Sequence, residues 1–221
     1  MIRIVKGDEP QCLLEWKEQE TPDWKATYDG FRDKDKLRAA LLEEQGGLCC
    51  YCGREAKFKD SHIEHFKPQS RYSDLEIKYD NLHASCVKSP APGGIRHCGH
   101  AKNDCFDENL YISPLEEDCE EQFLYTLEGE IQPKNMHDKK AEHMIKILNL
   151  NAPPLRGRRK EVLIRTFPPE ILNNLSHEKL QNFRATCQER DSKGHFQEFR
   201  QVLSRYIDQN MPQMSPLSDD T

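Results

Sequence analysis

Cys49-x-x-Cys52 is followed ten residues later by His62-Ile63-Glu64-His65, then by Asn81, Cys86, Cys98, His100 and Lys102. A Cys-x-x-Cys knuckle presents two thiolates from one tight turn, and a further pair closes a tetrahedral shell of the kind zinc takes. Cys86 and Cys98 are the best second pair, with eleven residues between them; Cys105 is the reserve ligand, and Cys50 is expected to point away from the shell. The His/Glu/His run supplies the other half of the chemistry. A carboxylate and an imidazole suit a hard divalent cation, and a neutral imidazole beside it can take a proton from an attacking water. The charge that builds on a phosphate is then met by the cation. His65 is the expected general base, Glu64 the first ligand of the catalytic ion, and His62 a supporting group. The implied chemistry is phosphodiester cleavage.

These residues must be positioned by short elements. The pattern predicts a helix over 34–45, with Asp33 as N-cap and Gly46-Gly47 as its end. A strand is expected over 60–66, halted by Pro68, and the start of a short helix or turn over 80–87. Pro90, Pro92, Gly93 and Gly94 predict a loop across 89–99. Residues 1–6 alternate and predict a short strand. Further on, 121–133 predicts a hairpin turning at Glu128-Gly129. A helix capped by Asp138 comes next, then a break at Pro153-Pro154 and a basic helix over Leu155–Phe167. Two more helices are expected near 176–190 and 194–209, with Phe196, Phe199, Val202, Leu203 and Tyr206 as an apolar stripe, and the tail 211–221 is expected to be disordered.

At 221 residues, with 36% hydrophobic and 32% charged content, the chain can bury one good core. No stretch is apolar enough to span a membrane, the N-terminus lacks the pattern of a signal peptide, and a cytoplasmic location is expected. Nine cysteines then favour metal over disulfides. The net charge of −6 is uneven. Residues 103–130 hold ten acidic residues and no basic one, which predicts a solvated face or one that meets a basic partner. Arg156, Arg158, Arg159 and Lys160 form a cluster that could grip phosphates, as could Lys67 and Lys102.

From Cys49 to about Asn103 the residues resemble the HNH, or ββα-metal, endonucleases. The resemblance rests on Cys-x-x-Cys, Glu64-His65-x-x-Pro68, Asn81-Leu82 and the closing Cys98 with its nearby His and Lys. It implies an α+β protein with a zinc-stapled ββα-metal core at 46–115. A lead-in covers 1–45, and a hairpin plus helical region covers 116–210. It also implies that Asn81 orients the base and pins its loop, and that Mg²⁺ or Mn²⁺ is the catalytic ion. Family members carry Asp or His where Glu64 stands. Their last metal ligand falls by strict spacing on Gly99, which cannot ligate, so His100 is the nearest replacement, then Asn103 and Asp104. Lys102 matches a lysine of the motif and is expected to contact phosphate.

A wider similarity, to the HNH proteins found with retrons and Septu-type anti-phage systems, rests on several segments. They are HIEHFKP, YDNLHASC, CGHAKND, Ile112-Ser113-Pro114-Leu115, Gly129-Glu130-Ile131-Gln132-Pro133 and Ile147-Leu148-Asn149-Leu150-Asn151. It implies a PtuB-like nuclease subunit in antiviral defence, acting on nucleic acid with DNA favoured. Its expected partners are an ABC/SMC-like ATPase of the PtuA type and a retron reverse transcriptase with its RNA–DNA product. The rival expectations are a catalytically inactive zinc-finger adaptor, which would not need the Glu64-His65 pair, and a metal hydrolase acting on a small substrate.

Overall fold

The computed structural model describes residues 1–86, 93–168 and 176–210. Among these residues the protein is a mixed α/β molecule of seven α-helices and two small sheets. The helices are α1 Gln11–Lys17, α2 Lys34–Glu44, α3 Gly99–Lys102, α4 Lys139–Ile147, α5 Pro153–Thr166, α6 His177–Thr186 and α7 Arg200–Asn210. Strands β1 Ser61–His65 and β2 Leu82–Cys86 pair antiparallel, with Ser61 opposite Cys86 and Glu64 opposite His83. Strands β3 Phe123–Tyr125 and β4 Ile131–Pro133 form the second pair.

Helix α2 supports the first sheet. Leu37 and Leu41 are fully buried and Leu42 nearly so; burying such a side chain contributes about 1.5–3 kcal/mol. Gln45, just past its end, works as a peptide mimic. Its amide Nε2 donates to the carbonyls of Leu48 and Ala84 at 2.7 and 2.9 Å, and its Oε1 accepts from the Ala84 N–H at 2.7 Å. The turn that carries the first cysteines is thereby tied to β2, and the Cys50 N–H donates to the same Ala84 carbonyl at 3.1 Å. From the other side comes α7. Gln201 Nε2 donates to the Cys52 carbonyl at 2.9 Å and the Phe199 N–H donates to Gly53 at 2.8 Å. Gly53 has φ +73° and Gln201 lies where its Cβ would be, so this position requires glycine.

The expected helix at 34–45, strand at 60–66, hairpin at 121–133 and helix after Asp138 are present. Asp138 caps as expected, accepting from the N–H groups of Lys140 and Ala141. Asp33 sits at an N-cap position but makes no capping hydrogen bond; its carboxylate pairs with Lys36 instead.

Four expectations are corrected. Residues 1–6 form no strand: Ile2 and Ile4 are buried, but their N–H groups go singly to the carbonyls of Cys50 and Pro114, so no ladder forms. Residues 82–86 are a strand rather than a helix start. A 3-10 turn over Tyr79–Asn81 precedes them, and all five are buried, so the alternation that marks a half-exposed strand is missing. Pro153 and Pro154 open α5 rather than separate it from what precedes, because proline suits a first turn whose N–H groups have no partner. The last helix begins at Arg200, not 194, because Phe196 pairs with Arg190 as an antiparallel bridge and Phe199 takes φ +58°. The expected loop over 89–99 is loop from residue 93 to Cys98, and its earlier part and the tail 211–221 lie outside the described residues. No described helix is long and apolar enough to cross a membrane.

Candidate metal centre and the adjoining His–Glu site

Cys49 and Cys52 sit on the knuckle, Cys86 ends β2, and Cys98 immediately precedes α3. All four are buried and their sulfurs lie within 4.8 Å of one another. Cys52 and Cys86 are 3.6 Å apart, Cys86 and Cys98 3.9 Å. A tetrahedral zinc with bonds of about 2.3 Å sets its sulfurs roughly 3.8 Å apart, so the quartet has the spacing and chemistry for a metal such as zinc. Burial opposes the Cys49 thiolate, yet contacts from Cys50, Cys52, Cys86 and Cys98 outweigh it and bring its pKa well below the ordinary thiol value. Cys105 is exposed and outside the quartet. His97, to which the sequence assigns no role, is buried, with Nδ1 3.3 Å from Cys98 Sγ.

The quartet and the His–Glu segment share their supports. Ser85 Oγ lies 3.7 Å from Cys49 Sγ and accepts from the Gly99 N–H at 3.3 Å. Cys98 adopts φ +55°, an uncommon conformation that aims the start of α3 at β1. There Gly99 presses on the strand. A Cβ at that position would lie 2.2 Å from Glu64 Oε2 and 2.6 Å from His62 Nε2. Gly99 is not a missing ligand but a space that lets the carboxylate and the helix meet.

His62 and Glu64 share a face of β1, two residues apart, with His62 Nε2 3.3 Å from Glu64 Oε2. The rings of His62 and His100 are 4.7 Å apart. Glu64 is 7% exposed, and its other oxygen, Oε1, accepts from Tyr51 Oη at 3.1 Å and pairs with Lys102 Nζ at 2.8 Å. Burial disfavours this carboxylate, but His62 and Lys102 overcome that and hold its pKa down to about 2. Asn103, at the end of α3, is exposed and meets this group through its backbone carbonyl, which accepts from Lys102 Nζ at 3.4 Å.

His65 projects from the opposite face. Its Nε2 is 2.9 Å from the Glu76 carbonyl, which can only accept, so Nε2 carries the proton and the neutral ring keeps its lone pair on Nδ1. The ring stands edge-on to Tyr28 at 4.5 Å, and burial lowers its pKa. Asn81 clamps the chain that follows β1: its Oδ1 accepts from the Lys67 N–H at 2.7 Å, and its Nδ2 donates to the carbonyls of Lys67 and Leu75. Sequence reasoning had no signal for Tyr28 or Glu76, which are distant in the chain. It also missed His83, the fully buried cross-strand partner of Glu64, whose pKa is pushed down to about 3 by burial and then by Lys6.

Two of the cations expected to grip phosphate are elsewhere employed. Lys102 is 1% exposed and held by Glu64. Arg159 is also 1% exposed, donating from Nε to the Gly129 carbonyl at 2.7 Å and from Nη2 to the Leu150 carbonyl at 2.8 Å. Both are structural cations here. Arg158 and Lys160 reach the surface but are paired, Arg158 with Glu161 and Glu198 and Lys160 with Glu128. Arg156 is half-buried on the same helix. Lys67 pairs with Glu108 and lies over the rings of Tyr72 and Phe106.

No family model matches the chain. Among curated proteins it is similar to the Retron Vc95 putative HNH endonuclease of Vibrio cholerae serotype O1 biovar El Tor, at 30% identity over 139 residues or 60% of this chain. It is also similar to the Septu protein PtuB of Bacillus thuringiensis, at 27% identity over 92 residues or 40% of this chain. The matches span 65% of the length of the retron relative and 35% of the length of the Septu protein. With its cysteine quartet beside a buried Glu64, the chain resembles the HNH nucleases of the PtuB type.

Proposed function

We propose that this chain is a metal-dependent HNH endonuclease that hydrolyses phosphodiester bonds, with DNA the favoured substrate. Residues 46–115 form its ββα-metal core: β1, β2 and α3 carry the functional side chains, and the quartet Cys49, Cys52, Cys86 and Cys98 holds structural zinc. A catalytic Mg²⁺ or Mn²⁺ would be held by Glu64 with His100, and Asn103 is the further candidate. The donors suit such an ion in kind: one carboxylate oxygen faces the His62 imidazole, and the His100 ring lies 4.7 Å from the His62 ring. Such an ion, when bound, would stabilise negative charge on the phosphate and on the leaving oxygen.

The chain's own residues do the rest. His65 accepts the proton of the attacking water at Nδ1, because the Glu76 carbonyl holds the other nitrogen protonated. Burial keeps that imidazole neutral. Asn81 fixes the segment 67–75 that follows the base, and His62 orients the Glu64 carboxylate. The observation that carries the reading is the junction Cys98–Gly99, which fastens a closed cysteine site directly against an ionised, buried carboxylate.

Similarity to retron and Septu proteins supports a role as effector subunit in cytoplasmic anti-phage defence, working with a PtuA-like ABC/SMC ATPase and a retron reverse transcriptase with its RNA–DNA. One observation favours the adaptor alternative: among the described residues the cysteine quartet is the one converging group of metal-ligating side chains. Cleavage of plasmid and single-stranded DNA by wild type and Glu64→Ala, each with and without the ATPase, separates the two. The nuclease reading expects cleavage in Mg²⁺ or Mn²⁺ that Glu64→Ala abolishes. Equal inertness of both proteins, with nucleic acid or partner still bound, would establish the adaptor.

A further inference from the structure

The two oxygens of Glu64 live in different surroundings. Oε1 receives Tyr51 Oη at 3.1 Å and Lys102 Nζ at 2.8 Å, whereas Oε2 faces His62 Nε2 at 3.3 Å. Tyr51 belongs to the cysteine knuckle and is fully buried; Lys102 belongs to α3 and is 1% exposed. The ammonium has three donors and three acceptors: Glu64 Oε1, the His65 carbonyl at 2.8 Å and the Asn103 carbonyl at 3.4 Å. Its hydrogen-bonding capacity is spent inside the protein, so it cannot turn outward to a phosphate without abandoning a buried carboxylate.

We infer that Lys102 and Tyr51 are positioning residues that form an internal clamp on the nuclease site. They reserve Glu64 Oε1, leave Oε2 as the oxygen offered to a divalent cation, and through the His65 carbonyl fix the base relative to that oxygen. The inference rests on the reading of Glu64 as a ligand and deepens it. One ammonium grips two consecutive residues of β1, one by its side chain and one by its backbone. These residues project to opposite faces of the strand, so the ammonium links the side chain of one to the backbone of the next. The clamp also makes an electrostatic demand. A fixed positive charge beside Glu64 weakens its pull on a second cation, so the clamp serves geometry at some cost in ion affinity.

That trade gives a signature that a purely structural lysine would lack. The experiment compares wild type, Lys102→Met, Tyr51→Phe and Glu64→Gln, all zinc-loaded and paired with the ATPase. Mn²⁺ binding is read by the spin-resonance signal of the free ion, beside zinc content, thermal midpoint and turnover on plasmid DNA. Tyr51→Phe removes one hydroxyl and keeps the fold if Lys102→Met does not. The clamp predicts that Lys102→Met binds Mn²⁺ at least as tightly as wild type, while turnover falls by about 10–100-fold, the range typical of residues that orient a ligand. Tyr51→Phe shows the same split with a smaller loss of turnover. Zinc content is unchanged in both. Wild-type turnover in both variants would overturn the clamp. So would a Lys102→Met that loses zinc, Mn²⁺ and turnover together while Tyr51→Phe behaves as wild type. If Glu64→Gln binds Mn²⁺ as wild type does, the ligand reading itself fails, whatever the lysine does.

Discussion

The cysteine quartet and the His–Glu site lie side by side and are built in opposite ways. In the quartet four like ligands converge, all buried. Around Glu64 the groups differ in kind: one oxygen is occupied by Tyr51 and Lys102 and the other faces His62, whose ring lies beside that of His100, both histidines only half-buried. A closed, symmetric site suits an ion that staples; an open, lopsided one suits an ion that must share its shell with substrate. The two centres nevertheless depend on the same few residues. Ser85 touches Cys49 and receives Gly99, and Cys98 hands the chain straight to Gly99. The cysteine quartet and the carboxylate are therefore positioned by the same junction.

The largest effect should come from breaking the staple. Cys49→Ser or Cys98→Ser removes one of the four thiols proposed to hold zinc, and structural zinc sites contribute on the order of 10 kcal/mol to folding. That is comparable to a domain's whole stability. Loss of bound zinc together with the far-ultraviolet dichroism of the fold is expected; a folded, zinc-free protein would show that the quartet is dispensable.

Gly99→Ala attacks the junction and should separate the centres. Its Cβ would fall 2.2 Å from Glu64 Oε2, so the carboxylate or α3 must move. Overpacking of this kind costs about 1–3 kcal/mol, and displacing a reacting group by about 1 Å can cost roughly 100-fold in rate. Zinc content should stay at the wild-type value while cleavage collapses. Zinc loss in Gly99→Ala would mean that the two centres cannot be uncoupled at this point.

A smaller contrast sharpens the division between structural and surface cations. Arg159→Met strands the carbonyls of Gly129 and Leu150, a cost of about 1–3 kcal/mol for each buried group left unpaired. Arg158→Ala removes a half-exposed ion pair and should cost about 1 kcal/mol or less. Urea denaturation measures both. An Arg159 variant with wild-type stability and weakened DNA binding would return that residue to the nucleic-acid surface.

The quartet was legible in the sequence because cysteine declares its chemistry and a Cys-x-x-Cys turn has one geometry. The strand carrying Glu64 was legible too, since Pro68 ends it. Strand β2 was not, because Leu82–Cys86 is buried on both faces and carries no alternation. The fate of Arg159 could have been found. It stands four residues after Leu155 and three and four before Val162 and Leu163, all buried, so the helical period puts it on the inward face of α5. Lys102 is different: four cysteine-adjacent residues form one turn of helix, and no local pattern says that its end reaches Glu64. Tyr28 and Glu76 are set against His65 by chain folding alone.

The central claim is that one centre staples and the other cuts. The most direct test measures DNA cleavage and bound zinc on the same samples of wild type and His65→Ala, each paired with the ATPase in Mg²⁺ and in Mn²⁺. The account predicts about one zinc per chain in both proteins and cleavage in the wild type alone. Cleavage at the same rate in both, with zinc retained, would contradict it.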